Sequence, residues 1–251
     1  MSARIPLEIA AGSLASALAA QAGGADRVEL CENLGEGGCT PSWGTLAMAR
    51  DRLRVPLYVL IRPRAGDFLY DALECETMQR DIEACLKLGC DGVVLGALDA
   101  DGDVDTAVCG ALVATAAGLG VTFHRAFDAA RDRATALEAV VALGCERVLT
   151  SGGQAGAPLG AAAIADTVAR AAGRIRVMAG AGINAGNVAA LLRDSHADDA
   201  HASASAPRVS TMRFHNPSLQ GLAPDWRQTE VEQVRALRLA LDRFAAEAGS
   251  V

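Results

Sequence analysis

The chain has 251 residues, is 51% hydrophobic with only 4% aromatic residues, and carries a formal net charge of −7. That length suits one α/β barrel with a core of Ala, Val, Leu and Ile. The acidic balance, with basic residues scattered apart from Arg62 and Arg64, argues against a nucleic-acid partner, which would need clustered cations. No apolar run approaches the ~20 residues of a membrane span. The N-terminus reaches Pro6-Leu7-Glu8 without a signal-peptide pattern, so a cytoplasmic location is expected.

Taken in chain order, short apolar runs alternate with alanine- or leucine-rich helical stretches. The first predicted strand is 7–9, with Glu8 inside it. The second lies in Gly24-Ala25-Asp26-Arg27-Val28-Glu29-Leu30, a glycine–small–acid pattern that returns as Gly89-Cys90-Asp91-Gly92-Val93-Val94-Leu95 and, shifted by one residue, as Gly144-Cys145-Glu146-Arg147-Val148-Leu149. The copies start 65 and 55 residues apart, too far for one βα unit and right for two. In each, the glycine reads as a helix C-cap before a strand. A looser echo runs from Asp198 to Ser203. These segments are strands 2, 4, 6 and 8. The odd strands fall between them, at 7–9, 57–61, 121–123 and 176–179, with helices such as 74–88 and 161–172 in the gaps.

Strands alternating with helices predict a parallel sheet, and eight such units predict a TIM-type (β/α)8 barrel. An open doubly wound sheet would show a glycine-rich phosphate loop after strand 1, which Ala10-Ala11-Gly12-Ser13 matches poorly. One domain over 1–251 is expected, with the barrel at about 5–219 and a C-terminal helical extension at about 220–251. In that extension a helix at 229–246 would carry an apolar stripe of Leu237, Leu239, Leu241 and Phe244.

In such a barrel the strand exits are where sites are built. The segment from Val121 to Asp128 ends an apolar run in His124-Arg125 and adds Asp128 three residues later. The other exits supply Glu8, Glu29, Arg62, Ser151, the Gly180 and Gly182 turn, His201 and Ser203. Arg62 and Arg125 suit a carboxylate or phosphate. Gly180, Gly182 and Ser203 fall where barrel enzymes often hold phosphate. His124, Glu8 and Glu29 are the catalytic candidates, with His201 as a further acid–base group. A purely structural alternative pairs Glu8 and Glu29 with Arg62 and Arg125 as buried salt bridges.

The seven cysteines, an odd number without a Cys-x-x-Cys pair, read as reduced thiols. Cys90 and Cys145 are small core fillers. Cys75, Cys85 and Cys109 lie in or near helices. Cys31 and Cys39 alone lie near the reactive rim, where two thiolates would suit a soft ion such as Cu(I).

A series of motifs resembles the CutC family of copper homeostasis proteins. It comprises Leu7-Glu8-Ile9, Gly24 to Cys31, Gly37-Gly38 with Thr40-Pro41-Ser42, Ile61-Arg62-Pro63-Arg64, Gly66-Asp67-Phe68, Val121 to Asp128, Arg147 to Gly152 and Met178 to Ile183. The resemblance runs in order from Leu7 to about Leu219. It implies a cytosolic, homo-oligomeric TIM-type barrel linked to copper tolerance or Cu(I) binding. The chain departs from the pattern at Ala10, where many relatives carry a cysteine, and at Ala65, which replaces a glycine. Three readings stay open: a copper-binding protein using Cys31 and Cys39, an enzyme acting on a small anionic ligand, and a barrel serving as a protein interface.

Overall fold

The repeated glycine and acid turn out to be joints between strands. The computed structural model describes residues 4–248, so the expected bounds of 1–251 run past the described residues at both ends. Eight parallel strands close into a barrel in sequence order. They are β1 (Leu7–Ala11), β2 (Arg27–Leu30), β3 (Leu57–Leu60), β4 (Gly92–Leu95), β5 (Gly120–Phe123), β6 (Arg147–Thr150), β7 (Arg176–Ala179) and β8 (Asp199–Ala202). The seam joins β1 to β8, with Glu8 opposite His201. Between the strands run α1 (Leu14–Gly23), α2 (Trp43–Arg52), α3 (Ala72–Leu88), α4 (Thr106–Thr115), a short α5 (Ala126–Ala129), α6 (Arg133–Ala142), α7 (Ala161–Ala171) and α8 (Val188–Ser195). The expected TIM-type (β/α)8 barrel is the fold found.

Gly24 and Gly89 cap α1 and α3 in the left-handed region, at φ 93° and 70°, where only glycine sits without strain. The acid that follows grips the preceding strand. Asp26 accepts from the Leu7 N–H at 2.8 Å and returns its own N–H to the Leu7 carbonyl at 2.9 Å. Asp91 does the same at Leu57 (2.8 and 3.0 Å), and Asp198 at Val177 (2.7 and 2.9 Å). Glu146 is one methylene longer. It keeps the backbone bond to Val121 but sends its carboxylate to the Tyr58 hydroxyl at 2.6 Å and to Arg147 at 2.8 Å.

Alternation along the strands separates two apolar regions. Leu7, Ile9, Val28, Leu30 and their counterparts pack outward against the helices in the main core. Cys31, Tyr58, Leu60 and Val94 form a small cluster inside the barrel, where charged and polar residues such as Glu8, Arg27, Glu29, Arg147 and Asp199 are also buried.

After β8 the chain makes an antiparallel hairpin of β9 (Ser205–Arg208) and β10 (Trp226–Thr229), then enters α9 (Val231–Ala248). The C-terminal helical extension is therefore present, and α9 packs between α1 and α8, closing the ring of helices. Its buried stripe is Val234, Leu237 and Leu241, whereas Leu239 is 56% exposed. Leu239 follows Leu237 by two residues, about 200° around a helix, which turns it to the opposite face. Among the described residues, no helix is long and apolar enough to cross a membrane.

Candidate functional site

At the N-terminal end of the barrel a charge network sits under the site. Asp199, fully buried at the start of β8, accepts from Arg147 Nε at 2.8 Å, Arg176 Nε at 3.0 Å and Arg27 at 3.3 Å. Arg27 also forms a buried ion pair with Glu8 and lies over the Tyr58 ring, 5.1 Å from its centroid. The structural alternative is thus corrected. Glu8 is neutralised by Arg27 rather than by Arg62 or Arg125, because β2 places Arg27 beside β1 while the other two lie at the far rim. Arg27 was missed as a site residue, although the repeat carried the signal: Arg27 and Arg147 occupy the same place in two of its copies.

Above that network, three groups from the β1–β2–β8 seam form a chain. Glu8 Oε1 bonds His201 Nδ1 at 2.8 Å, and His201 Nε2 lies 3.4 Å from Glu29 Oε2. Burial works against the ionised form of Glu8, but the charge of Arg27 and the His201 hydrogen bond prevail and hold it at about 2. Glu29 has no such cation in contact. Burial, with the nearby Glu8 charge, pushes it up to about 7 despite His201. Burial opposes the His201 imidazolium, yet the hydrogen bond to Glu8 and the charges of Glu29 and Glu8 raise it above its usual value. The donor atoms of Glu8, Glu29 and His201 all lie within 4.8 Å of one another, close enough to hold a metal ion.

Across the mouth, His124 is 5% exposed. Its Nδ1 accepts from the Ala126 N–H at 3.1 Å, so the ring proton sits on Nε2. Burial, aided by the Arg62 charge, lowers this imidazole to about 3, and it is uncharged at neutral pH. Arg62 is less available than its sequence position suggests. NH1 donates to the carbonyls of Glu36 (3.0 Å) and Gly38 (2.6 Å), and NH2 donates to that of Gly66 (2.7 Å). It clamps the loops that follow β2 and β3. Arg125 is the freer cation, with side-chain exposure of 42%. Its Nε donates to Asp128 at 2.8 Å, and its NH2 to Ser151 Oγ at 2.9 Å. Asp128 is saturated by Thr150 Oγ1 (2.6 Å), Ser151 N (2.9 Å) and Gly153 N (2.9 Å). These bonds hold it ionised against its burial, and its local role is to position Arg125 and Ser151.

These walls enclose a cavity of about 890 Å³ at the C-terminal mouth, lined by Glu29, Arg62, His124, Arg125, Gly182, His201 and Ser203 among others. Of the other residues expected there, Glu8 lies behind His201, while Asp128 and Ser151 lie behind Arg125. Gly180 packs inside the barrel, where a Cβ would fall 2.5 Å from Leu149 Cδ1. Ala181 holds a left-handed φ of 78° on the cavity wall, a conformation a non-glycine residue adopts at a cost and typically near functional sites. Sequence reasoning missed Phe68 and the hairpin residues Trp226, Arg227 and Thr229, which also line the cavity. The hairpin carried no signal, since nothing local tells the long loop at 209–225 to fold back over the barrel.

All seven cysteines are free. Cys31 is fully buried, its Sγ 3.7 Å from the Ala11 carbonyl. Burial, with the Glu29 charge nearby, raises its thiol well above the usual range, which opposes the thiolate that Cu(I) needs. Cys39 is half-buried and pairs through its backbone with Glu32. Neither lines the cavity.

A family model described as CutC family matches residues 5–206. A family protein CutC from Xylella fastidiosa (strain 9a5c) is 54% identical over 246 residues, covering 98% of this chain and 92% of that protein. The crystal structure of CutC from Streptococcus agalactiae superposes with a TM-score of 0.76 at 33% identity, covering 79% of this chain and 98% of that one. Thiamine phosphate pyrophosphorylase from Pyrococcus furiosus, at 15% identity and a TM-score of 0.56, shares the fold alone. The family match spans the eight strands that carry Glu8, Glu29, Arg62, His124 and His201, so the chain belongs to the CutC family.

Proposed function

We propose that the cavity is the active site of an enzyme acting on a small anionic metabolite, with Glu29 and His201 as its proton-transfer pair. One observation carries this reading. Two titratable groups lie 3.4 Å apart on the cavity wall, backed by a buried Glu8–Arg27 ion pair that fixes the orientation of His201. A barrel does not need this chain for stability, and replacing buried ion pairs with apolar residues is often neutral or stabilising. Glu29 near 7 is poised to give and take a proton at neutral pH. Arg125 supplies the exposed cation that a carboxylate or phosphate requires, and Ser203, Gly182 and the strand-7 turn line the adjoining wall. The test is a thermal-shift screen of phosphate- and carboxylate-bearing metabolites with wild type and Arg125→Ala. A ligand at a hundredfold its dissociation constant should raise the melting temperature by roughly 5–10 °C in wild type and by much less in the variant. Equal shifts in both proteins, or none in wild type, would remove the reading.

Copper handling in the cytosol is the second reading. The family name supports it, and so does the set of Glu8, Glu29 and His201, whose donors lie close together. Carboxylate and imidazole suit Cu(II) or zinc better than Cu(I), which prefers thiolates. The buried Cys31 and the half-buried Cys39 do not fit a Cu(I) site. Titrating reduced protein with Cu(I) against a competing chelator should therefore give the same weak affinity for wild type and Cys31→Ser. A large loss of Cu(I) affinity in the variant would restore the thiol site. Homo-oligomerisation belongs to the same proposal. It is supported by exposed Val209, Met212, Phe214 and Leu222 between β9 and β10, and light scattering giving a monomer mass would exclude it.

A further inference from the structure

The cavity wall holds two hydrogen-bond donors that nothing in the protein uses. Among the described residues, His124 Nε2 and Arg62 Nε are buried and without a partner, and both residues line the cavity. Leaving a buried N–H unmade costs about 1–3 kcal/mol, and native proteins keep few such groups. Here the two come from the exits of β3 and β5, on either side of β4, at the mouth of the barrel.

Their tautomer and charge are fixed by geometry. Because the Ala126 amide donates to Nδ1 at 3.1 Å, Nε2 must carry the proton of a neutral ring. Three of the four N–H groups on the other two nitrogens of Arg62 are committed to carbonyls, and its Nε–H has no partner among the described residues.

One side chain covers both residues. The Phe68 ring centroid lies 5.0 Å from that of His124 and 5.2 Å from the Arg62 guanidinium carbon, and Phe68 itself lines the cavity. Its carbonyl is anchored by the Leu98 N–H at 2.9 Å, while Gly66, Asp67 and Leu69 around it are exposed. With the backbone held there, displacing Phe68 would be a change of side-chain rotamer.

We infer that the ligand's anionic group displaces the Phe68 ring and takes its hydrogen bonds from His124 Nε2–H and Arg62 Nε–H. The inference deepens the enzyme reading and rests on it. It separates two histidines that look equivalent in sequence: His124 is a fixed neutral donor to an oxyanion, and proton transfer belongs to Glu29 and His201. The shared ligand chemistry is an oxyanion, phosphoryl or carboxylate. A neutral donor beside a cation stabilises such a group without competing for its proton.

The experiment uses the full chain labelled with ¹⁵N-histidine, titrated at pH 7 with inorganic phosphate and, separately, with acetate, against sodium chloride. The His124 ring signals are identified by their loss in His124→Gln. His124 should appear as the neutral Nε2–H tautomer, and its Nε2–H proton should move downfield saturably with phosphate, acetate or both, but not with chloride. The anion that saturates at lower concentration identifies the ligand group. In Phe68→Ala the midpoint should fall by about fivefold or more, because the closed ring no longer taxes binding. A proton found on Nδ1, or saturable anion binding that leaves His124 unmoved, would overturn the inference and leave the enzyme reading standing. Weaker binding in Phe68→Ala would overturn the ring displacement. If neither anion saturates anywhere on the protein, both fall together.

Discussion

A Cβ placed on Gly96 would lie 2.8 Å from both Cε1 and Nδ1 of His124 and 3.2 Å from the Ala126 methyl. The missing side chain just after β4 therefore makes the space in which the His124 ring lies with its Nδ1 against the Ala126 amide. Gly96 carries no side chain, yet it sets the tautomer of a residue at the next strand exit, adjacent in space. Gly96→Ala should push the imidazole off its amide partner and destabilise the protein by about 1–3 kcal/mol, as overpacking does. Urea unfolding measures that loss, and ¹⁵N-histidine spectra should show His124 becoming a mixture of tautomers. An unchanged midpoint with His124 still a single Nε2–H species would mean that the ring is held by something other than the Gly96 hollow.

At the scale of elements, the seam between β1, β2 and β8 couples the site to stability through pH. Glu29 has a folded value raised from 4.5 to about 7. Its contribution is therefore fully present below about 4.5 and is lost as pH rises through about 7. Glu8 runs the other way. Its folded value is depressed to about 2, so its contribution is present above about 4.5 and is lost as pH falls through about 2. Between pH 5 and 8 the contributions of Glu29 and His201, the latter raised above 6.5, are both lost as pH rises. Urea unfolding of wild type should show stability falling across that range, with a clearly shallower fall in Glu29→Gln. Parallel slopes for the two proteins would place the titrating group elsewhere. The same elements show what the sequence could and could not reveal. The joints were legible because each is local: a glycine, an acid and a strand start within a few residues. The polar rim was legible because charged residues inside apolar strands must face a site or a partner. Partner choice was not legible. Glu8 and His201 are opposed only because the barrel closes β1 on β8, and Arg62 turns to loop carbonyls whose positions depend on the whole mouth.

At the scale of the molecule, closure of the helical ring rests on one close approach. Gly23, the last residue of α1, faces α9, and a Cβ there would fall 2.4 Å from Val234 Cβ and 2.9 Å from the Val231 carbonyl oxygen. Arg238 of α9 then donates to the Ile5 carbonyl at 2.9 Å and to Asp26 at 2.7 Å, tying the last helix to the joint between β1 and β2. Because Gly12 and Ser13 ahead of α1, and Thr229 ahead of α9, line the cavity, this contact also sets the width of the mouth. Gly23→Ala forces a backbone atom to move as well as a side chain, and should cost at least about 2 kcal/mol, or roughly 4–8 °C in melting temperature for a chain of this size. Gly44 in α2 is the control, since a Cβ there meets nothing within 4 Å. Gly44→Ala should stabilise the protein by up to about 1 kcal/mol through helix propensity alone. Calorimetry on the two variants separates the effects: opposite signs support α9 as the closing helix of the ring, whereas two stabilised proteins would show that α1 and α9 are free to separate without loss.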